Sequence, residues 1–305
     1  MPGPFQRVEV PRRHRRSLVN RHARWYTWSA DARRILAAWR RGSESLDLPD
    51  LVHLDAASPY SATYGATVLE LADAVLAEEV LRLARSLATL ERPAHLMLLT
   101  DLFTGLDSRS LHLLLAHFRA ILAAESGDDH AALYAPLGTT GAAARGFPLH
   151  ADLYRPEMLW VIFDDVPADD SGASLFLPVA SLLDLIDGLA EVPVDVRRQV
   201  RECFEAPADR DRFDELFSLL YGTTAGWCGE LRERLLAAQL QIKLQRGEGY
   251  LLHDRTWLHG RTEPSGGVTA HRLHRLIFDC RTDDRRRRRR LHLRGRGNVQ
   301  DLAPV

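Results

Sequence analysis

The sequence predicts an α+β fold, a double-stranded β-helix (jelly roll) with a helical N-terminal region and a helical insertion. Three features predict it. Apolar residues recur at helical spacing through most of the first 125 positions. Short aromatic and β-branched runs fill residues 147–178. A long helical stretch then separates them from two further β-like runs at 249–253 and 273–280. Strands divided by so long an insertion cannot pair as local hairpins, so they must meet in a sheet closed across it. A doubly wound α/β sheet fits poorly, because strands and helices do not alternate and no glycine-rich phosphate loop is present.

Residues 1–24 read as a poorly structured basic arm, followed by a single domain over 25–280 and an arginine-rich tail over 281–305. A helix is expected over 30–41. Another is expected over 67–90, where Leu69, Leu71, Ala72, Val75, Leu76, Val80 and Leu83 return on one face. Leu111, Leu114, Leu115, Phe118, Ile121 and Leu122 repeat the pattern over 110–124. The apolar run at 95–99 suits one strand. Residues 147–154, 158–166 and 174–177 read as strands, punctuated by Pro156, Pro167, Gly172 and Pro178. The insertion, about 181–240, is helical over 181–189 and 196–240. Its acidic part, 205–234, is expected to lie as a lid over the barrel mouth, where insertions commonly carry recognition.

Composition narrows the function classes. At 46% hydrophobic and 27% charged, the chain is that of an ordinary soluble globular protein with a sizeable core. A net charge of -1 argues against nucleic acid as a partner for the chain as a whole. Cys203, Cys228 and Cys280 are widely spaced and form no CxxC pair, which fits a reducing, cytoplasmic setting. No stretch approaches the roughly 20 apolar residues that span a bilayer, and residues 1–25 lack a secretory apolar run. The six arginines at 285–290 read as a solvated tail, with binding to nucleic acid or an acidic partner as the alternative.

The chemistry concentrates in His150-Ala151-Asp152 and, far downstream, His259. In an extended strand, residues i and i+2 share a face, so His150 and Asp152 can aim at one ion. A histidine from another strand completes a 2-His-1-carboxylate set, which suits Fe(II) and leaves positions open. An isolated HxD carries little weight; the neighbouring text matters more.

Phe147-Pro148-Leu149-His150-Ala151-Asp152-Leu153-Tyr154-Arg155-Pro156 resembles the first iron-ligand segment of the taurine dioxygenase and clavaminate synthase-like oxygenases. Ser171-Gly172-Ala173-Ser174-Leu175-Phe176-Leu177-Pro178 resembles that family's glycine-containing strand. Residues 246–261, ending His259-Gly260-Arg261, resemble its distal-histidine segment. The resemblance implies that His150, Asp152 and His259 hold Fe(II), and that Ser174 and an arginine after His259 fix 2-oxoglutarate. Arg272, thirteen positions after His259, is the preferred candidate; Arg275 is the alternative if a bulge exchanges the two faces. A buried distal carboxylate needs such a guanidinium, which matches it with two hydrogen bonds.

The implied activity is oxidation of a small molecule, such as an amino acid or natural-product intermediate of secondary metabolism, by dioxygen and 2-oxoglutarate. Hydroxylation is the expected outcome, and desaturation or cyclisation needs only another substrate pose. Halogenation is not expected, because Asp152 occupies the position that would have to be vacated for chloride. Two alternatives stand: a cupin-like metal protein with different chemistry, and a non-catalytic basic-tailed interaction protein. Among nearby residues, His253 reads as a strand histidine or a supporting partner of the site. Asp254, Arg255 and Arg261 read as corner-forming charges, with Arg261 also a substrate-contact candidate, and Trp160 and Trp257 as core.

Overall fold

A computed structural model describes residues 3–14, 23–44, 71–90, 95–103, 105–128, 131–137, 146–153, 157–205, 212–222, 225–265 and 272–279. The residues expected to form the arginine-rich tail lie outside these.

In chain order the N-terminal half holds β1 (Phe5–Arg7), β2 (Ala23–Trp28), α1 (Ala30–Ser43), α2 (Ala74–Ala88), β3 (Leu96–Leu99) and α3 (Ser108–Ser126). Next come β4 (Ala132–Leu137), β5 (Phe147–His150), β6 (Met158–Asp165) and β7 (Ser174–Pro178). The insertion comprises α4 (Val179–Asp187), α5 (Val194–Glu205), α6 (Phe213–Tyr221) and α7 (Gly226–Ala238). The chain returns through β8 (Leu240–Ile242), β9 (Gly249–His253), β10 (Trp257–Arg261) and β11 (Arg272–Phe278).

The strands form a seven-stranded sheet, β1-β2-β3-β9-β6-β11-β4, and a four-stranded sheet, β5-β10-β7-β8. From β4 onward the antiparallel pairs are nested: β4 with β11, β5 with β10, β6 with β9, β7 with β8. The long insertion therefore sits between strands whose partners lie on its far side, as the sequence argument required.

Side-chain alternation builds the layers. Along β6, Met158, Trp160 and Ile162 pack toward α1–α3, whereas Leu159, Val161 and Phe163 pack between the sheets. Being buried on both faces, β6 reads as one apolar run. Along β7, Phe176 enters the inter-sheet core while Leu175 and Leu177 pack against the insertion helices. The order is helices, large sheet, small sheet, helices. Ser29, Asp73 and Asp107 cap α1, α2 and α3 with side-chain oxygens that accept backbone N–H groups. Among the described residues, no helix is long and apolar enough to cross a membrane.

The structure corrects several expectations. The stretch read as a poorly structured arm contains β1, which pairs with β2. Within it Arg13 and His14 bind buried Glu248, which also accepts the backbone N–H of Gln245. Four strands escaped the sequence reading, β1, β2, β4 and β8; β4 holds alanines and a proline, and β1 and β8 have only three residues each. Over 67–90, helix is described only from Ala74, and the insertion's last helix stops at Ala238 rather than 240.

Helix α3 buries two histidines, His112 and His117. The Tyr134 hydroxyl lies 2.8 Å from Nδ1 of both His112 and His274. Burial pushes His112 and His117 down to about 4, His274 adding to the effect at His112. Each folded-state value lies below the usual 6.5, so the unfolded chain takes up protons first as pH falls. This contribution to stability is complete above about pH 6.5 and drains away toward pH 4, by up to about 3 kcal/mol per histidine. Urea midpoints measured from pH 7 to 4.5 should fall accordingly, and His117→Gln should flatten the slope. An unchanged slope would contradict the burial argument.

Candidate metal centre

His150 ends β5 and His259 lies at the middle of β10, directly opposite it in the antiparallel register. Their rings are 4.2 Å apart. Asp152 lies two residues past the strand, outside regular β structure. It still returns to the same point: His150 Nε2 is 3.5 Å from Asp152 Oδ1, and His259 Nε2 is 4.0 Å from Asp152 Oδ2. One ligand atom from each of the three residues falls within 4.8 Å of the other two.

The protonation pattern suits a cation. His150 Nδ1 lies 2.9 Å from the Pro148 carbonyl, which can only accept, so Nδ1 donates there and Nε2 is the nitrogen turned toward Asp152. Burial depresses His259 to about 3, helped by the charges of His150 and Arg275, so this imidazole is neutral at pH 7. Burial would raise Asp152, but hydrogen bonding from His150 and the nearby His259 ring and Arg275 guanidinium outweigh it and hold the carboxyl below its usual range. Among the described residues, Asp152 Oδ2 is buried without a hydrogen-bond partner. A buried carboxylate oxygen without a hydrogen-bond partner, beside two imidazoles, is a donor set that fits iron, and a cation is the natural partner for it.

Local sequence explains why the strands can meet. A Cβ on Gly260 would lie 2.8 Å from the Phe147 carbonyl oxygen and 2.9 Å from that of Pro148. Only glycine lets β5 approach β10 where the register shifts between His259 and Arg261. Gly249 has the same role in the large sheet, against the Val161 carbonyl.

The cosubstrate candidates fall around this point. Arg275 alternates with Leu273 and Ile277, both in the inter-sheet core, so it faces inward; its Nη1 is 3.7 Å from Asp152 Oδ2. Arg272 opens β11 opposite Asp165, and the register breaks between Arg272 and Leu273. Its side chain lies outside the described residues. Ser174 is buried at the start of β7, on the inward face it shares with Phe176, in register with Arg261. Arg261 alternates with His259 on that same inward face, and burial lowers its pKa.

Other residues are supporting. His253 pairs with Glu157 at 3.0 Å rather than with a metal-site side chain. Arg255 reaches Glu157 at 3.0 Å and the Phe204 carbonyl at 3.0 Å. Trp160 and Trp257 are core, as expected. Two features were not read from the sequence. Asp254 accepts hydrogen bonds from the backbone N–H groups of Asp152 and Leu153. Phe213, Phe217 and Tyr221 of α6 form a row beside β5: Phe213 meets the His150 ring edge-on at 5.7 Å, and Tyr221 donates to the Leu149 carbonyl at 2.8 Å. Their i, i+4, i+8 spacing was the available signal.

No family model matches the chain, and no curated protein matches it. Solved structures do. The chain is similar to asparagine oxygenase at 14% identity, over 85% of this chain and 93% of that one, with a TM-score of 0.42. It is similar to the non-heme iron oxygenase OrfP, in complex with Fe, succinate and (3S)-hydroxy-L-Arg, at 14% identity over 86% and 96%, with a TM-score of 0.41. The PvcB protein from Pseudomonas aeruginosa is 17% identical over 90% of both chains, with a TM-score of 0.41.

Proposed function

We propose that this chain is a cytoplasmic Fe(II)- and 2-oxoglutarate-dependent oxygenase that oxidises a C–H bond of a small molecule, by hydroxylation. The observation that carries the reading is the convergence of His150, Asp152 and His259 around an orphaned Asp152 oxygen, with an inward-facing arginine beside it. The two sheets are read as a jelly roll, supported by the nested pairing of β4–β11.

In this reading Fe(II) with 2-oxoglutarate and dioxygen supplies the oxidising power, with succinate and carbon dioxide as co-products. His150 and His259 offer Nε2, and Asp152 offers a carboxylate oxygen. Arg272 is the proposed partner of the distal carboxylate of 2-oxoglutarate and Arg275 the alternative, with Ser174 donating a hydroxyl. The register break at Arg272 removes the strict alternation that would set it on the face opposite Arg275. The α6 aromatics, half-buried beside His150, are proposed to form the mouth wall that keeps bulk water from the site and orients substrate.

Anaerobic titration tests this directly. The oxygenase gives a weak visible charge-transfer band only when Fe(II) and 2-oxoglutarate are both present, and aerobic screening of amino acids and natural-product intermediates then gives substrate-dependent succinate. A cupin-like protein with other chemistry binds metal without that band. A scaffold shows neither response, and either result would refute the proposal.

A further inference from the structure

Asp254 is the least expected group near the site. It sits at the corner between β9 and β10 and is only 3% exposed, so a carboxyl there must do something to offset its desolvation. The corner itself is rigid. The Asp254 N–H donates to the Glu157 carbonyl at 2.8 Å, and both His253 and Arg255 bind the Glu157 carboxylate.

From that fixed point the carboxylate reaches two separate parts of the metal centre. Oδ1 accepts the Asp152 N–H at 3.0 Å, and Oδ2 accepts the Leu153 N–H. These bonds hold the loop in an unusual shape: Leu153 has φ 53, a left-handed conformation that costs a leucine roughly 1 kcal/mol or more. On its other side, Asp254 Oδ1 lies 3.8 Å from His259 Nδ1. Among the described residues that nitrogen is buried without a hydrogen-bond partner. Once His259 engages a cation through Nε2, Nδ1 must carry hydrogen, and Asp254 is the acceptor within reach of a small ring rotation.

Asp254 and Asp152 are also two buried carboxylates, the first bonded to the backbone N–H of the second, and a cation relieves the repulsion between them. We infer that Asp254 is a positioning residue that couples metal loading to the ordering of the ligand loop, by holding Asp152 from its backbone and His259 from its distal nitrogen. This rests on the metal-centre reading above and adds a residue that the ligand motif does not contain.

Asp254→Asn separates this role from simple structural support. The amide keeps the size and one acceptor, but loses the charge facing His259 and the second backbone bond. Anaerobic Fe(II) titration of the full chain should show affinity lowered about 10- to 100-fold, as for other groups that support metal-bound histidines. The metal-free variant should melt a few degrees below wild type for its one lost backbone bond, while the rise on adding Fe(II) shrinks. Asp254→Ala, lacking both acceptors, should lose more metal-free stability. Equal Fe(II) affinity in wild type and Asp254→Asn would overturn this inference alone. So would a metal-free melting temperature that falls in Asp254→Asn with the Fe(II)-induced rise intact. Wild-type protein that takes up no Fe(II) would overturn the metal-centre reading, and this inference with it.

Discussion

Asp152→Ala is expected to lose Fe(II) binding and substrate-dependent succinate formation together. The variant removes the only carboxylate among the three converging ligands, leaving two imidazoles on adjacent strands. Loss of a group that merely supports a ligand typically costs 10- to 100-fold in metal affinity, so removing the ligand itself should cost more than about 100-fold. The chain should still fold. Asp152 is buried, and deleting a buried carboxylate that has an unsatisfied oxygen removes a desolvation cost along with its attraction to Arg275. A metal-free melting temperature close to wild type, combined with lost Fe(II) uptake, is therefore the expected result. Wild-type succinate formation in Asp152→Ala would remove this residue from the site.

Gly260→Ala is the second change with a large expected effect, and it touches no ligand atom. The added methyl would enter the space of the Phe147 and Pro148 carbonyl oxygens, at 2.8 and 2.9 Å. Those atoms are backbone and cannot swing aside. Because β5 is the edge of the four-stranded sheet, it would be displaced from β10 instead of the sheet breaking. Pro148 supplies the carbonyl that orients His150, so the displacement moves a ligand and its hydrogen-bond partner together. Overpacking of this kind costs about 1–3 kcal/mol of stability, and Fe(II) affinity should fall about 100-fold besides, because ligand geometry is not recovered by relaxation. Gly229→Ala on α7 is the control: nothing lies within 4 Å of its added Cβ, and helix propensity favours alanine. Fe(II) affinity by calorimetry and the melting temperature should separate the two variants.

The parts of this site that were legible in the sequence are those fixed by local spacing. His150 and Asp152 stand two apart, and the distal histidine follows an apolar strand. Asp254 was legible only as a corner charge, because its partners are backbone N–H groups a hundred positions away, and nothing near it encodes that bond. The two β11 arginines show the limit of a period-2 argument. Three positions apart, they belong on opposite faces of an ideal strand, yet the register breaks immediately after Arg272.

The fold follows the same division. Long amphipathic helices and the doubly buried β6 announce themselves through composition. The short strands β1, β4 and β8 owe their existence to partners supplied from elsewhere: β4 is paired along β11, and β8 is held by three residues of β7. In the basic N-terminal segment, Arg13 and His14 are held by one buried glutamate, Glu248, more than two hundred residues downstream.

Crystals grown anaerobically with Fe(II) and measured at the iron absorption edge give the most direct test. The account predicts one anomalous peak bonded to Nε2 of His150, Nε2 of His259 and a carboxylate oxygen of Asp152. A peak elsewhere, or a loaded crystal in which these three side chains do not share one ion, would contradict it.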